Sequence, residues 1–320
     1  MTGVLTGFGV IVALVALGWL LARTDVLGPG ARLALNRLVF FVATPALLID
    51  SLARTSLDQV FNEIFAVSAG TAVLIAIAYM VVARLWVRAS ADDLVVGALS
   101  AGYVNSANLG IPIALYVLGD LGFVFPLLLF QVVVMQPLAI AILERTALAG
   151  RRGEGDAARG GGGGAGLAIL AALRTPIVIA ALVGIIVAAV PWTPPEQLLE
   201  PIRLVGQISV PGALIVFGMS LYGVRVLEKG VSPRREIALA TVLKTVAHPL
   251  LAYAVGAWVL GMSGHVLFTV VVAAALPTAQ NVLIVATTYG RGMLIARDTA
   301  VLTTLASVPI LLTVSALLAA

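Results

Sequence analysis

Two apolar stretches of this chain, each long enough to cross a lipid bilayer, are interrupted by polar and helix-breaking residues. The first interruption is residues 105–112, with the sequence NSANLGIP, and the second is residues 277–281, with the sequence PTAQN. A proline inside a helix removes a backbone donor and clashes with the preceding turn, which costs about 3 kcal/mol. In lipid, the freed backbone groups must find partners inside the protein or in a water-filled cavity. Pro112 and Pro277 lie 165 residues apart in a chain of 320 residues, so the pattern predicts two corresponding broken helices.

The composition is that of an all-α protein that crosses the membrane many times. Hydrophobic residues make up 61% of the chain, charged residues make up 11%, and the mean hydropathy is +1.12. Soluble domains have roughly 45–50% apolar and about 25% charged residues. The absence of cysteine excludes disulfides and thiolate metal sites. The arginines are scattered among loops rather than gathered in a stripe, which argues against nucleic-acid binding.

Ten stretches of the chain are long and apolar enough to span a bilayer, since a span needs about 20 residues to cross roughly 30 Å of hydrocarbon. They lie near residues 3–22, 34–53, 64–83, 93–118, 122–143, 174–191, 202–223, 236–260, 265–289 and 297–319. The two interrupted stretches are the fourth and the ninth. The start of the chain has neither a basic region nor a small-residue cleavage site, so we expect the first span to be retained as a helix.

A glycine-rich segment separates spans five and six. Residues 151–166 include five consecutive glycines at 160–164, and a run of this kind cannot bury a core. We therefore expect a flexible cytoplasmic linker at 151–166, between a first repeat at 1–150 and a second repeat at 167–320. Residues 167–173 are apolar, and they either extend span six or lie in the membrane interface.

Positive charge sets the orientation in the cell membrane. Of the nineteen Lys and Arg residues, sixteen fall in the odd-numbered connections between spans. These sixteen are Arg23, Arg32, Arg37, Arg84, Arg88, Arg145, Arg151, Arg152, Arg159, Arg174, Arg225, Lys229, Arg234, Arg235, Arg291 and Arg297. Because cytoplasmic loops carry an excess of Lys and Arg, the odd-numbered connections are predicted to be cytoplasmic and both termini to lie outside.

The two halves of the chain are predicted to be inverted repeats. Each half has five spans, an odd number, so the second half must insert upside down relative to the first. The residues at 38, 39 and 45 in span two are Leu, Val and Pro, the same as those at 204, 205 and 211 in span seven. We therefore predict ten transmembrane helices in two inverted five-helix repeats, with broken crossover helices four and nine.

The first interruption supplies a candidate binding site. Asn105 and Asn108 are three residues apart and are followed by Gly110 and Pro112. The half-helix that begins after a break exposes N–H groups and carries partial positive charge, which attracts anions. Asn and Gly also serve helix packing in membranes, but two Asn residues beside a break favour anion binding.

The second interruption supplies the matching polar group. Thr278, Gln280 and Asn281 follow Pro277 directly. Paired breaks at corresponding positions of two halves are typical of the binding site of a transporter. If the two interrupted helices cross, the amide side chains of both interruptions meet in one polar cavity near the middle of the bilayer.

Lys244, His248, Asp50 and Gln131 are further polar residues within the spans that could have a functional role. Lys244 lies in span eight, where it has three interpretations: it neutralises a bound carboxylate, acts as a tethered surrogate cation, or extends its stem to the interface. His248, one turn later, is interpreted as structural. Asp50 lies near the outer end of span two, where solvation is favoured over ion binding. Gln131 in span five either lines the crossover or stabilises a kink.

The motif Asn-x-x-Asn-x-Gly-x-Pro in span four, Pro-Thr-Ala-Gln-Asn in span nine and the ten-span layout resemble the auxin efflux carrier family. That family includes plant auxin exporters and bacterial permeases for malate, malonate and similar organic acids. The resemblance covers the whole chain and implies secondary active transport of a small organic anion by alternating access. An auxin-like indole acid, malate and malonate are the substrates that it implies.

The resemblance also implies an architecture and a set of partners. Spans four and nine would be broken at their prolines and would cross at the site. Spans one, two, six and seven would form a scaffold, the other spans would form a transport domain, and two copies often form a homodimer. The expected partners are an organic acid and the lipid bilayer, and no cofactor or metal is expected.

Three other functions are alternatives to this one. A sodium-coupled symporter of the bile-acid type has a similar architecture, but sodium sites favour carboxylates and carbonyls, and the interruptions offer amides. An intramembrane enzyme is a remote alternative, because the chain has no H-E-x-x-H motif and no G-x-S-x-G motif, and because we interpret Asp50 as the lone membrane aspartate, where an aspartyl protease needs two. A channel is disfavoured, since paired broken helices suit a gated site better than a continuous pore.

Overall fold

The computed structural model describes residues 2–53, 62–151, 174–190, 195–223 and 226–318. In these ranges the chain is helical apart from turns and one isolated β-bridge, and it contains no β-strand. Apart from Arg151, the predicted linker at 151–166 lies outside the described residues, as does the apolar segment 167–173.

Twelve helices follow one another in the described part of the chain. They are α1 (Thr2–Thr24), α2 (Ala31–Leu52), α3 (Glu63–Val87), α4 (Ala91–Gly102), α5 (Ser106–Leu118), α6 (124–151), α7 (Pro176–Ala189), α8 (Glu196–Leu221), α9 (Arg234–Val259), α10 (Gly264–Ala275), α11 (Gln280–Tyr289) and α12 (Met293–Leu318). Helices occupy each of the ten predicted spans, and the fourth and ninth spans each contain two helices.

Six of these helices are long and apolar enough to cross a membrane, namely α2, α3, the first part of α6, α8, α9 and α12. Four others are apolar but shorter: most of α1, together with α5, α7 and α10. The outer surface is also apolar, since Trp86 is 82% and Trp258 is 78% exposed. An apolar surface of this kind is unfavourable in water and favourable in contact with lipid.

Proline explains four widened turns within the helices. A π-helical turn ends two residues before each of Pro45, Pro112, Pro137 and Pro249. Proline cannot donate to the carbonyl four residues earlier, and its ring clashes with that turn. A wider turn with five-residue hydrogen bonds lets the helix continue past the ring. These prolines therefore reshape a helix without ending it.

Helices α1, α2, α7 and α8 pack against one another in one group. The contact between α1 and α8 is the closest of them, because Gly18 of α1 lies against Ile215 and Gly218 of α8 lies against Val15. A Cβ atom built at either glycine would lie 2.0 Å from a backbone carbonyl oxygen. Small residues of this kind let two helices in a membrane approach backbone to backbone.

The remaining helices form a second group, in which α4, α9, α10 and α12 pack together and α3, α6 and α11 pack around them. Helix α5 also contacts α1 and α8 of the first group. Asp298, fully buried in α12, ties the loop before α9 to this second group. Its carboxylate accepts hydrogen bonds from the Leu227 N–H, the Ser232 hydroxyl and the Arg297 guanidinium, at 2.9, 2.9 and 2.8 Å.

Candidate functional site

The two interrupted segments lie side by side. Val104, between α4 and α5, forms an antiparallel β-bridge with Thr278, between α10 and α11. The Asn105 N–H donates to the Pro277 carbonyl at 2.8 Å. Some of the backbone groups that each helix loses at its break are therefore satisfied by the other break, as irregular backbone inside a membrane protein requires.

The position of the first break differs from the expectation that helix four is broken at its proline. Helix α4 ends at Gly102 and α5 begins at Ser106, so Pro112 lies inside α5. The widened turn before Pro112 accommodates its ring, and the chain is instead extended at Tyr103. Pro277 does lie in its break, between α10 and α11.

Asn105 caps the N-terminus of α5. Its Oδ1 atom accepts a hydrogen bond from the Asn108 N–H at 3.1 Å, and its backbone carbonyl accepts one from the Gly110 N–H at 2.8 Å. The side chain is 2% exposed, and its Nδ2 atom has no hydrogen-bond partner. Gly110 also allows close packing, because a Cβ there would lie 3.2 Å from the Leu276 side chain beside the second break.

Gln131 of α6 is a second buried amide whose nitrogen atom has no hydrogen-bond partner. The Ser106 hydroxyl donates to its Oε1 atom at 2.9 Å, which fixes the orientation of the amide. Gln131 is 1% exposed, and its Nε2 atom has no hydrogen-bond partner. A buried donor without a partner is unfavourable by about 1–3 kcal/mol, so a ligand that accepts from it gains binding energy.

Both amides line a cavity of about 510 Å³ beside the two breaks. The structure brings together here the four amide residues that the sequence predicts to converge, namely Asn105, Asn108, Gln280 and Asn281. The polar residues that line the cavity are Asn36, Arg37, Tyr103, Asn105, Ser106, Asn108, Gln131, Gln136, Thr175, Gln280 and Asn281. One of the four, Gln280, also donates from its Nε2 atom to the Ser220 hydroxyl of α8 at 3.1 Å.

The other predicted site residues lie beside the cavity rather than in its lining. Gly110 and Pro112 belong to α5, and Pro277 belongs to the paired backbone segment. Thr278 holds that segment in place, because its hydroxyl donates to the Ser100 carbonyl at 2.6 Å and its N–H donates to the Thr303 hydroxyl at 3.1 Å. Pro277 and Thr278 thus shape the second break, whereas Gly110 and Pro112 lie within α5, beyond the first break.

Lys244 is also outside the cavity lining. It lies in α9, is 1% exposed, and its Nζ atom is 2.8 Å from both the His248 Nδ1 atom and the Ala274 carbonyl oxygen. The amino group of Lys244 is therefore enclosed between α9 and α10. His248 is buried between Lys244 and Thr71, whose hydroxyl lies 3.3 Å from its Nε2 atom.

The electrostatics of the cavity favour a negatively charged ligand. The first residues of α5 and of α11 line it, and a helix N-terminus carries partial positive charge. Arg37 adds a full positive charge at its wall, and among the described residues no Asp or Glu lines it. The arrangement can therefore bind a carboxylate through amide and backbone donors, and it lacks the acidic oxygens that a metal cation prefers.

Reasoning from sequence missed three contributors to this region. The sequence identifies Arg37 only as a cytoplasmic charge, and it is equally compatible with Gln131 at the crossover or at a kink. Thr303 belongs to a polar series in α12 with Thr299 and Ser307, spaced four residues apart in an apolar helix, which was a usable signal. All three side chains of that series are buried on the inner face of α12.

Comparison with known proteins agrees with the geometry. A family model described as "Membrane transport protein" matches residues 8–158 and 165–315. A protein of Rhizobium meliloti (strain 1021) named "Putative malonate transporter" is 28% identical over 299 residues, which cover 92% of this chain and 89% of that protein. Since the family model covers far more than half of the chain, this multi-pass membrane protein belongs to the auxin efflux carrier family of membrane transport proteins.

Proposed function

We propose that this protein is a secondary active transporter that binds a small organic anion in the cavity beside the two breaks. The observation that carries the proposal is the pair of buried amide residues Asn105 and Gln131, which line one cavity and whose Nδ2 and Nε2 atoms have no hydrogen-bond partner. A carboxylate offers two oxygens that each accept such a donor. Membership of a transport family supports transport over catalysis.

A short dicarboxylate is the substrate that the cavity suits best. One carboxylate accepts from the two amides and from the N-terminal end of α5, and the other pairs with Arg37 at the wall of the same cavity. The name of the relative from Rhizobium meliloti supports malonate as the first candidate, with malate next. The apolar part of the lining, which includes Phe40 and Phe41, leaves an auxin-like indole acid as a third candidate.

The proposed mechanism is alternating access between two bodies. The group of α1, α2, α7 and α8 serves as the scaffold, and the other helices carry the site. In this proposal the chain forms ten spans in two inverted repeats, residues 1–150 and 167–320, and α4–α5 and α10–α11 are the crossover helices. The uneven placement of Lys and Arg supports an orientation with the odd-numbered connections in the cytoplasm and both termini outside. Two copies associate as a homodimer.

The test is uptake into proteoliposomes that contain the purified protein. Labelled malonate, malate and indole acetate are supplied with sodium or with choline as the external cation. We expect saturable uptake of at least one of these acids, without chemical change and without a need for sodium. No uptake of any carboxylate contradicts the proposal, an absolute sodium requirement favours the bile-acid-type symporter, and chemical conversion of the acid favours an enzyme.

A further inference from the structure

A second cavity, an apolar groove of about 420 Å³, lies between the two groups of helices. It is lined by residues of α1 and α8 from the first group and of α5 and α12 from the second. None of its described lining residues is charged, and Ser307, one of the two polar residues, donates its hydroxyl within α12 to the Thr304 carbonyl at 2.8 Å. The groove therefore suits an apolar ligand.

The groove has an exposed rim and a buried floor. At the rim, Val12 of α1 is 50% and Leu305 of α12 is 58% exposed. At the floor, Ile113 of α5 is 2% and Phe217 of α8 is 5% exposed. An apolar chain in the groove contacts four helices, whereas lipid elsewhere contacts the outer side of a helix. Since dispersion attraction grows with the number of atoms in contact, a chain in the groove is held more firmly than the surrounding lipid.

A cation lies at one end of this groove. Trp19 lines the groove, and the Arg23 guanidinium lies over its ring, 5.2 Å from the centroid. The same ring packs edge-on against Tyr222, with 5.9 Å between centroids. Trp and Tyr are enriched at the level of the lipid headgroups. Arg23 is exposed, and no described Asp or Glu forms an ion pair with it. Its charge is therefore available to an anionic headgroup.

The length of the groove fits an acyl chain. Ile11 is the first residue of α1 in the lining and Trp19 is the last. Between them α1 rises about 12 Å. An acyl chain of a phospholipid extends through half of the hydrocarbon layer, which is about 15 Å. A phosphate beside Arg23 therefore places its own acyl chain along the groove towards Ile11.

We propose that the groove binds one acyl chain of an anionic phospholipid, with the phosphate of the headgroup at Arg23. The lipid is then a specific ligand of the protein, distinct from the general layer of lipid around it. Leu109 lines the groove and its neighbour Asn108 lines the cavity of the candidate site, so α5 separates the lipid from that site. The proposal needs only the fold and the membrane, and it does not depend on which acid the protein carries.

The test measures contact between lipid and Trp19 by fluorescence. Trp86, Trp192 and Trp258 are replaced by Phe, which leaves Trp19 as the single tryptophan of the chain. The protein is reconstituted in phosphatidylcholine vesicles with rising fractions of phosphatidylglycerol whose acyl chains carry bromine, which quenches tryptophan on contact. A protein that retains only Trp258 is the reference, because this residue is 78% exposed and no Lys or Arg lies within ten residues of it in sequence.

We expect half-maximal quenching of Trp19 at a phosphatidylglycerol fraction about fivefold lower than for Trp258, which is the preference that one Arg near the membrane surface gives to an anionic lipid. Arg23→Gln should remove this difference. Ala16→Phe should also remove it, since Ala16 lines the groove and the added ring fills it. Ala13→Phe is the matched control and should keep the difference, because Ala13 is also exposed on α1 but does not line the groove.

Three results would overturn the inference. The first is equal quenching curves for Trp19 and Trp258, which would mean that only the general lipid layer contacts Trp19. The second is a preference that survives in Arg23→Gln or in Ala16→Phe. The third is a Trp19 that no brominated lipid quenches, which would mean that protein, such as a second copy of the chain, covers the groove.

Native mass spectrometry decides the matter even where the proteins with a single tryptophan do not fold. The wild type, Arg23→Gln and Ala16→Phe are purified in the same detergent with phosphatidylglycerol added. The wild type should retain at least one phosphatidylglycerol molecule more than either variant. Equal retention by all three proteins would contradict the proposal.

Discussion

Replacing Asn105 by Asp separates its role in the fold from its role in binding. The Oδ1 atom caps α5 by accepting from the Asn108 N–H, and Asp caps a helix as well as Asn does. The negative charge also interacts favourably with the helix N-terminus, by about 0.3–1 kcal/mol, which offsets part of the cost of burying a carboxylate. We therefore expect the Tm of Asn105→Asp to lie close to that of the wild type, and above that of Asn105→Ala, which loses about 1 kcal/mol with the cap.

For binding of a carboxylate the two variants should rank in the opposite order, with Asn105→Asp weaker than Asn105→Ala. Asn105→Ala removes one donor to a carboxylate, and hydrogen bonds to charged groups are worth about 1.5–3 kcal/mol. That loss corresponds to roughly 10–150-fold in affinity. Asn105→Asp removes the same donor and adds a like charge, which at about 4 Å repels a carboxylate by roughly 4 kcal/mol at an intermediate dielectric constant. Binding to this variant should fall below detection.

The assay is a titration of malonate against Tm for the wild type and both variants, followed by uptake in proteoliposomes. Asn62→Asp is the matched control, since Asn62 caps α3 through the Phe65 N–H at 3.1 Å and does not line the cavity. The reasoning is refuted if Asn105→Asp binds malonate within about threefold of the wild type. It is equally refuted if Asn105→Ala is the more stable of the two variants.

Three further predictions concern the helices around the site. Pro112→Ala restores a donor to the widened turn of α5, so it should leave Tm unchanged or raised and should impair uptake; a large loss of Tm with normal uptake would contradict this. Gly18→Ala should destabilise the protein by about 1–3 kcal/mol, because its Cβ would meet the backbone of α8. Gly9→Ala is the control and should leave Tm unchanged, since no atom lies within 4 Å of a Cβ added there. Equal Tm values for the two variants would disprove the contact. Asp298→Asn should lower the free energy of unfolding by about 1.5–3 kcal/mol. Asp92→Asn, which removes a partly exposed ion pair with Arg291, should lower it by less than about 1 kcal/mol. Thermal unfolding of both variants shows which loses more stability.

Much of the helix arrangement follows from the sequence because hydropathy alone marks where helices lie in a membrane protein. The paired interruptions also identified the amides that the cavity brings together. The exact place of the first break did not follow, because a proline in a helix has two outcomes, a break or a widened turn. Asn105, not Pro112, decides it by capping α5.

Contacts between distant helices could not be read from the chain. Lys244 was expected to contact a bound anion or to act as a cation by itself, and its actual partners depend on how α9 packs against α10 and α3. Asp298 contradicts the interpretation of Asp50 as the lone membrane aspartate, because it lies buried inside α12, although beside Arg297 it resembles an ordinary solvated pair in sequence. Only the folded loop reveals that its carboxylate is buried and accepts from Leu227 and Ser232.

The contact between α1 and α8 determines where this protein is able to deform. Gly18 and Gly218 place each helix against the backbone of the other, and no flexible side chain separates the two. Two helices joined in this way cannot slide along each other, because any shift drives a Cα atom into a carbonyl oxygen. Long side chains change rotamer and let neighbouring surfaces slip, but a glycine contact has no such freedom. Surfaces covered by side chains, such as those that α5 presents to α1 and α8, therefore resist relative movement less than this contact does.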